Sequence, residues 1–164
     1  MVTLNSGQTL FSVGALVVLS LVSLNFNSTV LTNTTVEVEN KVYLTAFSLA
    51  DDLLEEIKQK AFDAATVDFP TTNTASLTSA YSLGHGSWEI YPAYNDVDDY
   101  NGFTQTVSAP HAENYTVTCI VRYVDGDNPD NVVWTQTFYK KATVTVTSPY
   151  LRTPVNLSHI FTLK

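Results

Sequence analysis

The sequence predicts an α+β fold: a long N-terminal α-helix, apolar in its upper half, packed on an antiparallel β-sheet. Three observations predict it. A run without a charged residue, Leu10 to Phe26, stands near the start of the chain. An apolar stripe follows from Val42 to Ala64 at steps of three and four residues, the period of a helix face. From Ser87 onward the apolar residues recur at alternate positions, the period of a strand with one buried face. The helix is expected over residues 1–66 and the globular β domain over 67–164, with a connecting loop at 67–87 that is rich in Thr, Ser and Ala and contains Gly-His-Gly.

The apolar run LFSVGALVVLSLVSLNF would form a helix about 25 Å long at about 1.5 Å per residue, against a hydrocarbon core of about 30 Å. Its large side chains include Leu10, Phe11, Val13, Leu16, Val17, Leu19, Leu21, Leu24 and Phe26. The preceding MVTLNSGQT has no Lys or Arg, and no small-x-small site follows the run, so a removable signal peptide is not the favoured reading.

Below the apolar run the stripe consists of Val42, Ala46, Leu49, Leu53, Ile57, Ala61 and Ala64, with Asp51, Asp52, Glu55, Glu56, Lys58 and Lys60 on other faces. Glu56 precedes Lys60 at the favourable i,i+4 spacing and order. Asp68-Phe69-Pro70 is the expected stop, because proline disfavours helical geometry at the residue before it. The β-branched residues from Thr29 to Val38 are poor helix formers, which leaves room for a loosened or broken section there; a helix nearly continuous from about Leu10 to Ala65 is the alternative.

In the second part, WEIY and FTQTV are short strand candidates, NYTVTCIVRYV and VVWTQTFYKKATVTVTS are longer ones, and SHIFTL closes the chain. In the longest run Trp134, Phe138, Ala142, Val144 and Val146 share the even, core-facing register, while Thr135, Thr137, Tyr139, Lys141, Thr143, Thr145 and Thr147 share the wet one. The intervening DGDNPDN, residues 125–131, favours tight turns and predicts an antiparallel hairpin. Pro149 and Pro154 bracket the crossing to a last strand suited to a sheet edge.

Composition narrows function. Eight Lys+Arg against 16 Asp+Glu give a net charge of -8, which repels nucleic-acid phosphates. The single cysteine, Cys119, lies in an alternating run and reads as a buried small hydrophobe. Four Asn-X-Ser/Thr sequons, at Asn27, Asn33, Asn114 and Asn156, suit an extracytoplasmic surface. His85, His111 and His159 have no spacing suited to zinc or a catalytic triad. There is no phosphate loop and no nucleophile elbow, so the chain is read as a non-enzyme.

The stretch NDVDDYNGF, residues 95–103, is the densest chemistry. Asp96, Asp98, Asp99 and Asn101 carry oxygens suited to calcium, and Asp125, Asp127 and Asp130 lie in the later turn. The EF-hand spacing fails, since setting Gly102 at the sixth loop position puts Val97 at the first. The preferred reading makes these side chains caps for backbone N–H groups, with Tyr100 and Phe103 packed beneath. Calcium is the alternative, and no other cofactor is expected. Tyr81, Trp88, Tyr91, Tyr94 and Tyr100 crowd the start of the sheet; they belong to the core, or, where several are exposed together, to a partner or glycan surface.

DVDDYNG at 96–102, YTVTCIVRYV at 115–124 and KKATVTVTS at 140–148 resemble, in order and spacing, minor type IV pilins of the mannose-sensitive haemagglutinin type. The helix stretch LADDLLEEIKQKAFD at 49–63 is similar to that of pilins and type II secretion pseudopilins. The resemblance implies a structural subunit of an extracellular bacterial filament, anchored in the inner membrane before assembly. Its implied partners are the pilus assembly machinery and then copies of itself, joined helix to helix through the apolar run. A typical prepilin is cut after a Gly that ends a basic leader, with Glu at the fifth mature position. Here the corresponding cut falls between Gly7 and Gln8, the leader has no basic residue, and the fifth position is Ser12. A pseudopilin, or a membrane-anchored surface module that binds through its aromatic loops, are the alternative functions.

Overall fold

The computed structural model describes residues 5–109 and 112–163. His111 lies outside the described residues. Helix α1 (Ser6–Lys58) is followed by β1 (Thr104–Ala109), β2 (Ala112–Tyr123), β3 (Tyr139–Thr147) and β4 (Val155–Thr162). The strands form one sheet in the order β1-β2-β3-β4, every neighbouring pair antiparallel. This is the α+β, type IV pilin-like arrangement that the sequence predicts. The chain divides into two compact units, and the division falls within α1, between Asn40 and Lys41.

In the first unit α1 runs through the Thr29–Val38 stretch without a break, the continuous alternative and not the loosened one. The propensity deficit of a β-branched residue is only a few tenths of a kcal/mol. The hydroxyls of Thr29, Thr34 and Thr35 donate to the carbonyls of Asn25, Val30 and Leu31, four residues back, at 2.9, 2.9 and 3.0 Å. In the apolar run Ser12 and Ser20 do the same to Gln8 and Leu16.

In the second unit, residues 41–58 of α1 lie on the sheet. Val42, Ala46, Ala50, Leu53, Leu54 and Ile57 are buried, and their core partners include Tyr115, Val117, Cys119 and Val121 of β2, Ala142, Val144 and Val146 of β3, and Val155 of β4. Burying each large apolar side chain contributes roughly 1.5–3 kcal/mol, so this face holds helix to sheet. The helix ends at Lys58, well before the proline expected to stop it. The amides of Gln59 and Lys60 turn to the carbonyls of Glu56 and Ile57, three residues back, at 3.1 Å each. Ala61 then pairs with the 95–97 segment: its N–H donates to Asn95 O at 3.2 Å and its carbonyl accepts from Val97 N at 2.9 Å. Tertiary pairing, not proline, ends the helix, and Ala64 leaves the apolar stripe to lie exposed.

Two strand expectations fail. WEIY is irregular, and Trp88 is 95% exposed. The longest expected strand begins only at Tyr139, and Trp134, expected in the core, is 57% exposed. Before β3 the chain makes only an isolated bridge, Val132 to Val124. The Thr137 hydroxyl donates to the carbonyls of Val124 and Tyr139 at 2.9 Å each, closing a wide loop over 124–138. Beyond it the register is the expected one: β2 pairs from Thr116↔Thr147 to Tyr123↔Lys140, and β4 sits at the edge.

Candidate functional site

Two features carry the chemistry, one in each unit. In the first, Leu10, Phe11, Val13, Leu16, Val17, Leu19, Leu21, Leu24 and Phe26 are all exposed, as are Val18 and Val22. Four consecutive residues, 16 to 19, point in four directions around a helix, so the surface is apolar on every side. The helix is long and apolar enough to cross a membrane. Gly7 and Gln8 lie in its first turn, exposed.

In the second unit NDVDDYNGF wraps into a short 3-10 turn, Asp98–Tyr100. Gly102 follows at a φ of +85°, a conformation glycine adopts without steric cost, and its N–H donates to Cys119 O on β2 at 3.0 Å. Tyr100 and Phe103 are buried beneath the turn, as expected, and the Tyr100 hydroxyl donates to Glu56 Oε1 of α1 at 2.6 Å.

The aspartates are buried too. Asp96 Oδ1 accepts from Asp98 N at 2.7 Å, and Asp99 Oδ2 accepts from Asn95 N and Asp96 N at 2.9 and 3.3 Å. Asn101 is a strut: its Oδ1 accepts from Val121 N at 3.1 Å and from the Arg122 guanidinium at 2.7 Å, and its Nδ2 donates to Leu83 O at 2.8 Å. Asp98 instead meets Lys140, whose Nζ also donates to Asp63 Oδ2 at 2.7 Å and to Phe62 O at 2.9 Å. Lys140 is fully buried, with Nζ 4.4 Å from the Phe62 ring centre and 5.0 Å from that of Tyr123.

The two acids on Lys140 are held differently. Asp63 is reached by Ala65 N at 3.0 Å, by Thr78 N at 3.0 Å, by the Thr78 hydroxyl at 3.1 Å and by the Tyr123 hydroxyl at 3.2 Å. Burial pushes its carboxyl up, but Lys140 and these backbone donors outweigh that and hold it below the ordinary value. Asp98 has an oxygen, Oδ2, that is buried without a hydrogen-bond partner. Burial pushes its carboxyl up to about 7, with Lys140 pulling down and Asp63 and Asp96 pushing further up. Asp96 is raised to about 6, chiefly by burial and then by Asp99.

The residues named for calcium have protein partners in the structure. Lys140 supplies the cation at Asp98, Asn101 spends its amide on Leu83, Val121 and Arg122, and Asp96 and Asp99 face amides. Asp125 and Asp127 belong to a separate turn, where Asp125 Oδ1 caps Asp127 N at 2.9 Å. Among the described residues no cluster of His, Cys, Asp and Glu has the arrangement of a metal site. Asp130 pairs with Lys141 at 2.7 Å. Sequence reasoning missed Asp63 and Lys140. The signal for Lys140 was its phase: it shares the even register of Ala142, Val144 and Val146, where a lysine is buried only with partners.

The aromatic crowd splits. Tyr94 and Tyr100 are core, Tyr91 packs against it, and Tyr81 and Trp88 are exposed. Tyr81 stacks on Trp134, centres 5.6 Å apart at 14° between planes. His85 stacks on Tyr94 and His159 meets Phe161 edge-on. Cys119 is buried, and burial pushes its thiol up to about 12. Asn27, Asn33, Asn114 and Asn156 are all exposed, Asn114 at a φ of 60°. No family profile, curated protein or solved structure matches this chain.

Proposed function

We propose that this chain is a pilin-like structural subunit of an extracellular bacterial filament, held in the inner membrane by α1 before assembly and by copies of itself afterwards. The observation that carries the reading is the apolar helix surface of Leu10–Phe26, exposed on all sides. A helix apolar all round belongs in lipid or among other helices. Ser12 and Ser20 satisfy their hydroxyls on their own backbone, so the run enters either setting without an unpaired polar group at those two positions. The resemblance of the three motifs to minor pilins supports the filament over a plain anchor.

Electron cryo-microscopy of material sheared from expressing cells, with mass spectrometry of its N-terminus, tests the proposal. Filaments with apolar helices at the axis and an N-terminus at Gln8 are the expected result. Absence of the chain from isolated filaments under conditions of expression overturns it. Short periplasmic assemblies without surface fibres would indicate the pseudopilin alternative. The exposed Tyr81–Trp134 stack favours a second reading, a membrane-anchored binding module. Deleting residues 10–26 should leave such a module soluble and still able to bind.

A further inference from the structure

We propose that Lys140 and Asp98 condense into an intramolecular isopeptide bond, with Asp63 as the proton carrier, so that the body locks itself covalently after folding. The inference goes beyond the filament reading and does not depend on it. Three geometric observations carry it. The Lys140 amino group and the carboxyls of Asp98 and Asp63 are in direct contact, all but sealed from solvent. The surroundings are the Phe62 and Tyr123 rings, a low-dielectric wall. Asp98 Oδ2, on the carboxyl that Lys140 meets, is buried without a hydrogen-bond partner.

The acids divide the work by their environments. Four donor groups besides Lys140 hold Asp63 as a carboxylate, the form that accepts a proton. Asp98 lacks such donors, and its carboxyl, raised to about 7, holds a proton in a large share of molecules near neutrality. Burial disfavours an ion pair that is incompletely hydrogen-bonded, and the amide removes both charges at once.

The step balances without a co-reactant. The ammonium passes one proton to Asp98, leaving an amine against a carboxylic acid. The Nζ lone pair attacks Asp98 Cγ, forming the C–N bond and moving the carbonyl π electrons onto oxygen. Asp63 takes a proton from the nitrogen and delivers it to the Asp98 hydroxyl. The C–O bond breaks, water leaves and the carbonyl re-forms. An amide joins β3 to the 3-10 turn, Asp63 is again a carboxylate, and nothing is oxidised or reduced. The bond closes a loop that contains β1 and β2.

The test is mass spectrometry of the full chain, folded in detergent, followed by proteolysis and fragment sequencing. The expected result is a wild-type chain lighter by one water, with a branched peptide joining the segment of Lys140 to that of Asp98. Lys140→Arg, which keeps the charge, should retain the water, and Asp63→Asn should slow its loss at least tenfold. A folded wild-type chain that keeps its full mass after prolonged incubation overturns the proposal. So does a water loss mapped to a cyclic imide at Asp125-Gly126. A branch at Asp63 instead of Asp98 overturns the assignment of roles.

Discussion

Asn101→Ala separates the strut from the calcium ligand. In the structure one amide side chain serves Val121 N, the Arg122 guanidinium and Leu83 O, at 3.1, 2.7 and 2.8 Å. Alanine deletes all three bonds. Val121 is fully buried, so its N–H loses its acceptor where water does not reach, a cost of about 1–3 kcal/mol. The lost bond to Leu83 adds about 1 kcal/mol, while half-exposed Arg122 recovers water. The sum is about 3 kcal/mol. With a urea slope of about 1–3 kcal/mol per molar for a domain of this size, the midpoint should fall by about 1–3 M. Asn101→Asp keeps the acceptor for Val121 and Arg122 and loses only the donor to Leu83, so it should cost less. Urea unfolding followed by circular dichroism reads both variants, with added calcium and with a chelator. An alanine variant with an unmoved midpoint would refute the strut. So would a calcium-dependent rise in wild type that Asn101→Ala abolishes.

Asp96 sets a pH dependence. Its folded carboxyl, at about 6, lies above its ordinary 3.8, so the stability it contributes is fully present below about 3.8 and is lost as pH rises through about 6. A gap of about two units is worth about 2–3 kcal/mol. Asp96→Asn, which keeps an oxygen for Asp98 N, should therefore raise the urea midpoint at pH 8 and leave it unchanged near pH 4; equal shifts at both would refute this. Cys119, its thiol raised to about 12 by burial, should resist iodoacetamide in the native chain and be labelled fully after unfolding, as read by mass. Leu16→Lys, which puts a charge on the exposed apolar surface, should abolish recovery of the proposed filaments by shearing while leaving the body's unfolding free energy within about 0.5 kcal/mol of wild type.

Elements defined by local period were legible. Val42, Ala46, Leu49, Leu53 and Ile57 all bury or half-bury on one face, and Ala142, Val144 and Val146 alternate as read. Boundaries set by distant partners were not. The helix ends where Ala61 meets Asp96, a pairing across the chain that no local pattern announces, and Trp134 lost its core position because its segment became a loop. The candidate site was half legible. Aspartates in NDVDDYNGF do cap amides, but the cluster's centre is Lys140, from a strand far along the chain. Lys140 shares the phase of Ala142, Val144 and Val146, yet the core-facing register was read from the apolar residues alone, which left it out. Asp63 was equally concealed, lying inside the expected helix although the helix stops five residues earlier.

The energetics of the two units bear on how the proposed filament would carry load. Burying the eleven large side chains from Leu10 to Phe26 among helix copies yields roughly 17–33 kcal/mol at about 1.5–3 kcal/mol each. Ordering a subunit in an assembly takes back about 4–15 kcal/mol. What remains is comparable to the about 5–15 kcal/mol that keeps an ordinary domain folded. Under tension, therefore, the body as well as the helix contact is a place where a subunit can yield. A filament of such subunits needs its reinforcement in the body, and the buried place where α1 has just ended, where Asp63 and Asp98 meet Lys140 of β3, is where a covalent tie would supply it. Without the tie, Asp63, Asp98 and Lys140 hold together only as a buried ion cluster with one carboxylate oxygen unpaired, which is weak evidence of stability. With it, the polypeptide between Asp98 and Lys140 cannot be drawn out, and β1 and β2 stay closed in a loop even if α1 is pulled from the sheet.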